Sequence, residues 1–126
     1  MMSRQKWAAL AVILPLAAAA GSAPAQSAAK FDGNWSVVVI TEKGDCDRAY
    51  RYPVEVVNGN LRYASEAGIS ITGKVDNGGR LKATISRGQQ RADGTGRLSA
   101  SGGSGVWSGS DSVKQCSGRW EAERRG

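Results

Sequence analysis

The sequence contains no histidine, and this absence excludes several kinds of chemistry. Without an imidazole, a Ser-His or Cys-His nucleophile system cannot be built, and zinc sites lose one of their two main ligand types. The segment Asp45-Cys46-Asp47 lacks the ligand count of a calcium loop. Four glutamates, Glu55, Glu66, Glu121 and Glu123, fall on expected outward strand faces. We therefore predict that the protein is not an enzyme and holds no metal or cofactor.

The sequence is also poor in proline and lacks helical periodicity after its first 25 residues. Pro15 and Pro24 lie within those residues, so Pro53 is the last of the three prolines. No later stretch keeps apolar residues at helical spacing, whereas alternation of apolar and polar residues recurs. Glycine is abundant, with seventeen residues in the chain. This pattern predicts an all-β domain of short strands and tight turns.

The first 25 residues have the three parts of a secretory signal. Arg4 and Lys6 form a basic start, an apolar run extends from Trp7 to Ala20, and Ala23-Pro24-Ala25 is a small-residue cleavage site. An uncleaved anchor is the alternative, but the run is shorter than the ~20 residues of a membrane-spanning helix. We predict a signal-peptide helix over 1–25 and a single periplasmic or secreted domain over 26–126 with no membrane span.

The two cysteines, Cys46 and Cys116, both lie in the mature part. Two thiols in an exported chain are expected to form a disulfide. Closing so long a loop would stabilise the fold by about 4 kcal/mol. Loss of Arg4 and Lys6 lowers the formal net charge from +6 to +4, which is within the usual range for a small domain.

Alternation in eight segments assigns an inward face to each expected strand. The first strand covers about Phe31 to Glu42, and the second covers Tyr50 to Val57. The expected inward residues are Trp35, Val37, Val39, Tyr52, Val54, Val56, Leu61, Tyr63, Ile69, Ile71, Val75, Leu81, Ala83, Ile85, Ala92, Gly94, Gly96, Leu98, Cys116, Gly118, Trp120 and Ala122, with Val106 or Trp107 in the seventh strand.

Turn sequences connect these segments into a meander. Asn58-Gly59 is typical of a two-residue hairpin, and Asp76-Asn77-Gly78-Gly79 is a second turn sequence. A meander leaves exposed edge strands, which closure into a barrel removes; a flat sandwich is the alternative. Because the expected disulfide joins the segment after the first strand to the last strand, we predict a small antiparallel up-and-down barrel of about eight strands.

Two short motifs resemble the calycins, the superfamily of lipocalins, avidins and small bacterial metalloprotease inhibitors. They are the opening Phe31-Asp32-Gly33-Asn34-Trp35 and the late Arg119-Trp120. The resemblance implies that Trp35 lies at the barrel base and that a basic residue of the last strand, Arg119 or Arg124, packs across it. A guanidinium over an indole face is a favourable cation–π contact. We expect Trp35, Arg119 and Trp120 to pack at the barrel base.

The mature chain is also similar to small exported alphaproteobacterial proteins that are loosely labelled as haem utilisation or adhesion proteins. The similarity is carried by the Phe31–Trp35 opening, by Tyr50-Arg51-Tyr52-Pro53 and by the Gly118-Arg119-Trp120 ending. The resemblance makes haem a ligand to consider. With no histidine, both methionines in the signal and the cysteines paired, tyrosine is the one usual axial haem ligand left.

Two surfaces are candidates for binding. Four outward residues on successive strands, Arg51, Arg62, Lys74 and Lys82, are candidates for a basic stripe that meets an anionic envelope component or an acidic protein; an evenly solvated face is the alternative. The interior of eight strands holds either a packed core or one small ligand. Short strands favour the packed core, and Tyr52 and Tyr63 are the expected lining of a ligand cavity.

These observations favour a non-enzymatic exported module that binds a partner through its surface or loops. The export signal argues against nucleic acid as that partner. Two alternatives stay open. One is a periplasmic protease inhibitor whose segment from Gln26 to Lys30 enters an active-site cleft. The other is a carrier of a small apolar ligand or haem, held near Trp35 and Tyr63.

Overall fold

The computed structural model describes residues 29–65, 67–111 and 113–126. Eight antiparallel strands follow one another in chain order, and β8 pairs with β1, so the sheet closes on itself. The strands are β1 (Gly33–Lys43), β2 (Ala49–Val57), β3 (Asn60–Ala64), β4 (Ser70–Val75), β5 (Arg80–Arg87), β6 (Gln90–Leu98), β7 (Gly102–Ser110) and β8 (Gln115–Arg124). The expected all-β, up-and-down barrel of eight strands is confirmed. The expected signal-peptide helix lies outside the described residues.

Alternation along the strands sends one set of apolar side chains into the barrel. In β7 the inward residue is Trp107, whereas Val106 points outward and is 61% exposed. The buried cluster consists of Phe31, Trp35, Val54, Val56, Leu61, Ile71, Val75, Leu81, Leu98 and Trp120. The alternation of apolar and polar residues along each strand therefore places the core in the barrel interior.

Inward glycines of β6 and β7 make room for the large ring of Trp120. A Cβ added at Gly96 would lie 2.4 Å from Cζ2 of Trp120, and one at Gly105 would lie 2.6 Å from its Nε1. The indole Nε1 donates a hydrogen bond to the carbonyl of Thr95 at 3.1 Å. These two strands thus have glycine at inward positions because the Trp120 ring occupies that space.

The turn between β2 and β3 is held by the segment that precedes β1. Asn58 and Gly59 have φ values of 52° and 77°, as a two-residue hairpin turn requires. The carboxylate of Asp32 accepts hydrogen bonds from the backbone N–H groups of Asn58 and Gly59, at 2.7 and 3.1 Å. These contacts fix the chain before β1 against one end of the barrel.

That end, which carries Phe31, Trp35 and Arg124, is the closed end. The guanidinium of Arg124 lies 4.7 Å from the ring centre of Trp35 and donates to the carbonyls of Lys30, Asp32 and Ala100 at 2.6, 2.8 and 2.7 Å. Phe31 and Trp35 are only 4% and 2% exposed. Side chains and backbone groups therefore seal this end.

Of the two arginines expected as candidates to pack across Trp35, Arg124 does so, whereas Arg119 does not. Its guanidinium lies on the outer wall, 3.0 Å from a carboxylate oxygen of Glu42 and 3.5 Å from one of Glu121. Strand alternation is the reason, because Arg124 shares the inward face of β8 with Trp120 and Arg119 lies on the opposite face. Trp120 itself lies farther along the barrel, opposite Val39 and Gly105.

The barrel wall is incomplete between β2 and β3. These strands pair at three positions, from Glu55 to Val57 against Asn60 to Arg62, whereas β1 and β2 pair at eight. The register directs the N–H groups of odd-numbered β2 residues toward β3, and Pro53 has no N–H to donate. The rings of Tyr52 and Tyr63, with centres 5.9 Å apart, occupy the inner side of this gap.

Candidate functional site at the open end of the barrel

The barrel end opposite Arg124, here called the open end, carries the β1–β2, β3–β4, β5–β6 and β7–β8 connections. Cys46 in the β1–β2 connection is joined to Cys116 at the start of β8, with 6.2 Å between the two Cα atoms. The disulfide thus ties together two connections that the chain separates by 70 positions. Loops anchored in this way on rigid strands are a common setting for binding sites.

A cavity of about 340 Å³ opens at this end, and we call it the cup. Its floor is apolar and consists of Val39, Tyr52, Ile85, Ala92 and Trp107. Its rim carries charges of both signs, from Asp45, Asp47, Asp111, Arg87, Arg91 and Lys114. The volume lies in the range of roughly 300–1,000 Å³ that is usual for small-molecule sites.

The barrel interior below the cup is nearly filled. The cavity there measures about 60 Å³, and apolar side chains, among them Trp35, Trp107 and Trp120, form most of its lining. A single water needs about 10–15 Å³ on this kind of measure, so the interior has room for only a few small atoms. A ligand of ordinary size therefore fits the cup and not the deep interior.

Two tyrosines, Tyr50 and Tyr52, line the wall of the cup beside the gap. The ring centres of Tyr50 and Tyr52 are 6.0 Å apart, and the Tyr50 hydroxyl donates a hydrogen bond to the carboxylate of Asp47. This hydrogen bond raises the pKa of Tyr50, and burial raises the pKa of Tyr52. Both phenols therefore remain protonated at neutral pH and present neutral hydroxyl groups.

The rim carboxylates also hold the loops in place. Asp111 accepts hydrogen bonds from the backbone N–H groups of Lys114 and Val113, both at 2.7 Å, and these bonds lower the pKa of Asp111. The carbonyl of Asp47 accepts from the Thr41 hydroxyl at 2.6 Å. Within the described ranges, no group of three potential metal ligands of the Asp, Glu, Cys or His type comes together.

The expected ligand-lining residues lie at different places on the gap. Tyr52 lies in the cup floor, whereas Tyr63 lines a groove of about 660 Å³ at the gap itself, together with Pro53, Glu55 and Arg62. Trp35, beside which the carrier hypothesis placed its ligand together with Tyr63, lines the same groove, although Trp35 is only 2% exposed. Lys30, in the segment assigned to protease inhibition, has its Nζ 5.3 Å from the ring centre of Phe31, and residues 26–28 lie outside the described part.

The expected basic stripe is only partly contiguous. Lys74 and Lys82 are direct cross-strand partners, and Arg62 faces Thr72, two residues from Lys74. Arg51 lies apart from these three, four residues along β2 from Glu55, which is the partner of Arg62. Its guanidinium donates a hydrogen bond to the Ser36 hydroxyl at 2.8 Å. Residue order along successive strands did not reveal the register, which decides which residues are neighbours.

Most residues of the cup were not among the expected site residues. Trp107 was one of two alternatives for its strand, and the rim residues Arg87, Arg91 and Lys114 carried no motif. One signal was available for Trp107. Gly105, Trp107 and Gly109 occupy alternate positions and therefore lie on one face of the strand, while Val106 and Ser108 lie on the other. No comparable signal points to the rim, because a charged loop residue looks the same whether or not a cavity lies beneath it.

The disulfide is compatible with an oxidising location outside the cytoplasm, where such bonds persist. In the part of the chain that the structure describes, no helix is long and apolar enough to cross a membrane. Comparisons of the chain with protein-family models, with curated proteins and with solved structures found no match.

Proposed function

We propose that the protein is a non-enzymatic exported binding module that holds one small ligand in the cup. The observation that carries this proposal is a cavity of about 340 Å³ with an apolar floor and a charged rim. Such a combination suits a ligand whose apolar body is removed from water while its polar groups stay at the rim. The location we propose is the periplasm or the extracellular space.

The floor defines the apolar part of the ligand. Val39, Ile85, Ala92 and Trp107 offer aliphatic and aromatic surface without a charge. Because the interior below holds only about 60 Å³, a long acyl chain cannot extend down the barrel axis. We therefore propose a compact ligand, with an aromatic or alicyclic body rather than an extended tail.

The rim defines the polar part. Acidic and basic groups are interspersed, so the cup does not select for one sign of charge. The neutral hydroxyls of Tyr50 and Tyr52 add hydrogen-bonding groups on one side. A ligand with a hydroxyl-bearing or zwitterionic end matches this arrangement.

The proposal is tested by reducing the volume of the cup with a substitution and measuring the binding of a dye. The dye is 1-anilinonaphthalene-8-sulfonate, which has an apolar ring system and one anionic group. We expect the dye to gain fluorescence on binding to the wild-type protein. The variant Ala92→Leu places extra side-chain volume on the floor and should weaken binding at least tenfold. Thr95→Leu, which adds an apolar side chain on the outer face of the same strand, is the matched control.

Loss of binding in Ala92→Leu alone supports the cup as the site. Equal affinities in wild type and Ala92→Leu, or an equal loss in Thr95→Leu, would overturn the proposal. Circular dichroism and the unfolding midpoint of each variant distinguish a filled cup from a damaged fold.

A further inference from the structure

We propose that the outer wall of β3–β6 binds a linear acidic polysaccharide through a row of five cations. This proposal goes beyond ligand binding in the cup, since it concerns another face of the barrel. The cationic row consists of Arg62, Lys74, Lys82, Arg80 and Arg97, all of which are exposed.

The strand register places these five residues next to one another. Lys74 lies directly opposite Lys82, and Arg80 lies directly opposite Arg97. Arg80 and Lys82 share the outer face of β5, and Arg62 lies diagonally across from Lys74. With strands about 4.8 Å apart and alternate residues about 6.8 Å apart, the row crosses the wall obliquely over about 20 Å.

The row contains two directly opposed like-charge pairs, which are unfavourable in an isolated sheet. Each such pair destabilises an antiparallel sheet by roughly 0.2–1 kcal/mol. Among the described residues, none of the five cations forms an ion pair, since the ion pairs found there involve Arg91, Arg119 and Arg125. The wall thus carries concentrated positive charge that an external anion can neutralise.

Three carboxylates border the row, but among the described residues none of them forms an ion pair with its cations. Glu55 lies opposite Arg62, at one end only. Asp93 accepts a hydrogen bond from Thr84 at 2.8 Å and pairs with Arg91, and Asp76 accepts from the turn N–H groups of Gly78 and Arg80. On the opposite wall, by contrast, Glu42 and Glu121 flank Arg119.

The shape and surroundings of the row favour a polysaccharide over other polyanions. Thr72 lies opposite Arg62 and Thr95 lies opposite Lys82, so hydroxyl groups flank the cations and can hydrogen-bond to sugar hydroxyls. Within the described residues the exposed large apolar side chains are Tyr50, Val106 and Val113, none of which lies on β3–β6. Tyr63, next to Arg62 on β3, is half-buried. Among the described residues, the row therefore offers no fully exposed aromatic ring on which single-stranded nucleic acid could stack and no exposed large apolar side chain that could insert into a membrane.

A linear chain with one carboxylate per sugar can follow an oblique row on a curved wall. A flat anionic bilayer touches the same curved wall along only a narrow band. The geometry points to an extended uronic-acid type of chain, bound by several weak charge contacts in succession. Binding of this kind weakens steeply as salt is added, because the contacts are exposed.

The test measures binding of polygalacturonate by isothermal titration calorimetry, with neutral dextran as the uncharged polymer. We compare wild type with Lys74→Gln/Lys82→Gln and with the control Lys43→Gln/Arg48→Gln, which loses the same charge away from the row. We expect the row variant to bind about tenfold more weakly and the control to bind within about twofold of wild type. Raising salt from about 50 to about 200 mM should weaken wild-type binding several-fold.

Two results would overturn the proposal. The first is an equal loss in both double variants, which means that net charge alone attracts the polymer. The second is stronger association with vesicles of equal parts phosphatidylglycerol and phosphatidylcholine than with polygalacturonate, which assigns the row to a lipid surface. Dye binding in the cup should be unchanged in the row variant. Failure of the polysaccharide proposal and failure of the cup proposal are therefore distinguished by separate measurements.

Discussion

Single side chains of this barrel take their roles from strand phase rather than from residue type. Arg119 and Arg124 are both arginines of β8, five positions apart, yet Arg119 lies on the outer wall and Arg124 covers Trp35. Likewise, Val106 is exposed while its neighbour Trp107 lines the cup and donates to the carbonyl of Ile40 at 3.0 Å. A residue's neighbour in sequence is therefore a poor guide to its contacts here.

The variant Arg124→Met tests the role of the closed end. The guanidinium binds three carbonyls and covers the Trp35 ring, so we expect the free energy of unfolding to fall by about 2–4 kcal/mol. Urea denaturation followed by tryptophan fluorescence measures this change. Arg119→Met is the control, and its exposed ion pairs predict a loss below about 1 kcal/mol. Equal losses in both variants would contradict the structure.

At the scale of the element, β2 is paired along most of its length with β1 but only at its end with β3. Its pairing with β1 extends from Ala49 to Val56, whereas its pairing with β3 stops at Glu55. Pro53 is the local cause, because it removes the next N–H that the ladder would use. The short β3 and the side-by-side tyrosines follow from this interruption.

Amide hydrogen exchange should show the interruption directly. The N–H of Arg51 points toward the gap, so we expect it to exchange at least a hundredfold faster than the N–H of Tyr52, which points toward β1. Glu55 is the matched control, since its N–H points the same way as that of Arg51 but faces a paired residue, Arg62. Similar protection at Arg51 and Glu55 would mean that β2 and β3 pair along their whole length.

The inward faces of β1 to β6 were predictable from alternation, and so were the turns at Asn58-Gly59 and Asp76–Gly79. Three members of the cationic row, Arg62, Lys74 and Lys82, were expected in a basic stripe. Arg80 and Arg97 were not, because they lie in turn-flanking and glycine-rich stretches where the pattern is thin. Only the pairing of β5 with β6 places Arg97 beside Arg80. Register is a property of two strands at once, and one strand's sequence does not contain it.

At the scale of the whole molecule, two closures define the barrel. Pairing of β8 with β1 closes the wall, and the Cys46–Cys116 disulfide fastens the open end. The closed end needs no covalent bond, since Arg124, Phe31 and Trp35 seal it. The cup therefore depends on the disulfide more directly than the core does.

Replacing both cysteines, as Cys46→Ser/Cys116→Ser, separates these contributions. We expect the free energy of unfolding to fall by about 4 kcal/mol, the chain-entropy value for a loop of this length. We also expect weaker dye binding in the cup, because the β1–β2 connection loses its anchor on β8. Unchanged dye affinity in the folded double variant would show that the strands alone shape the cup.

The amino-acid sequence by itself determined the class of structure, the inward face of most strands, the positions of the tight turns and the identity of the two disulfide partners. These features depend on local periodicity, on turn chemistry and on there being only two cysteines. The tertiary structure alone decided that Arg124 covers Trp35, that Tyr52 and Tyr63 meet across a gap, that a cup opens above a filled interior, and that five cations form one row. Each of these depends on which strands are neighbours and in what register, and that is settled only when the sheet closes.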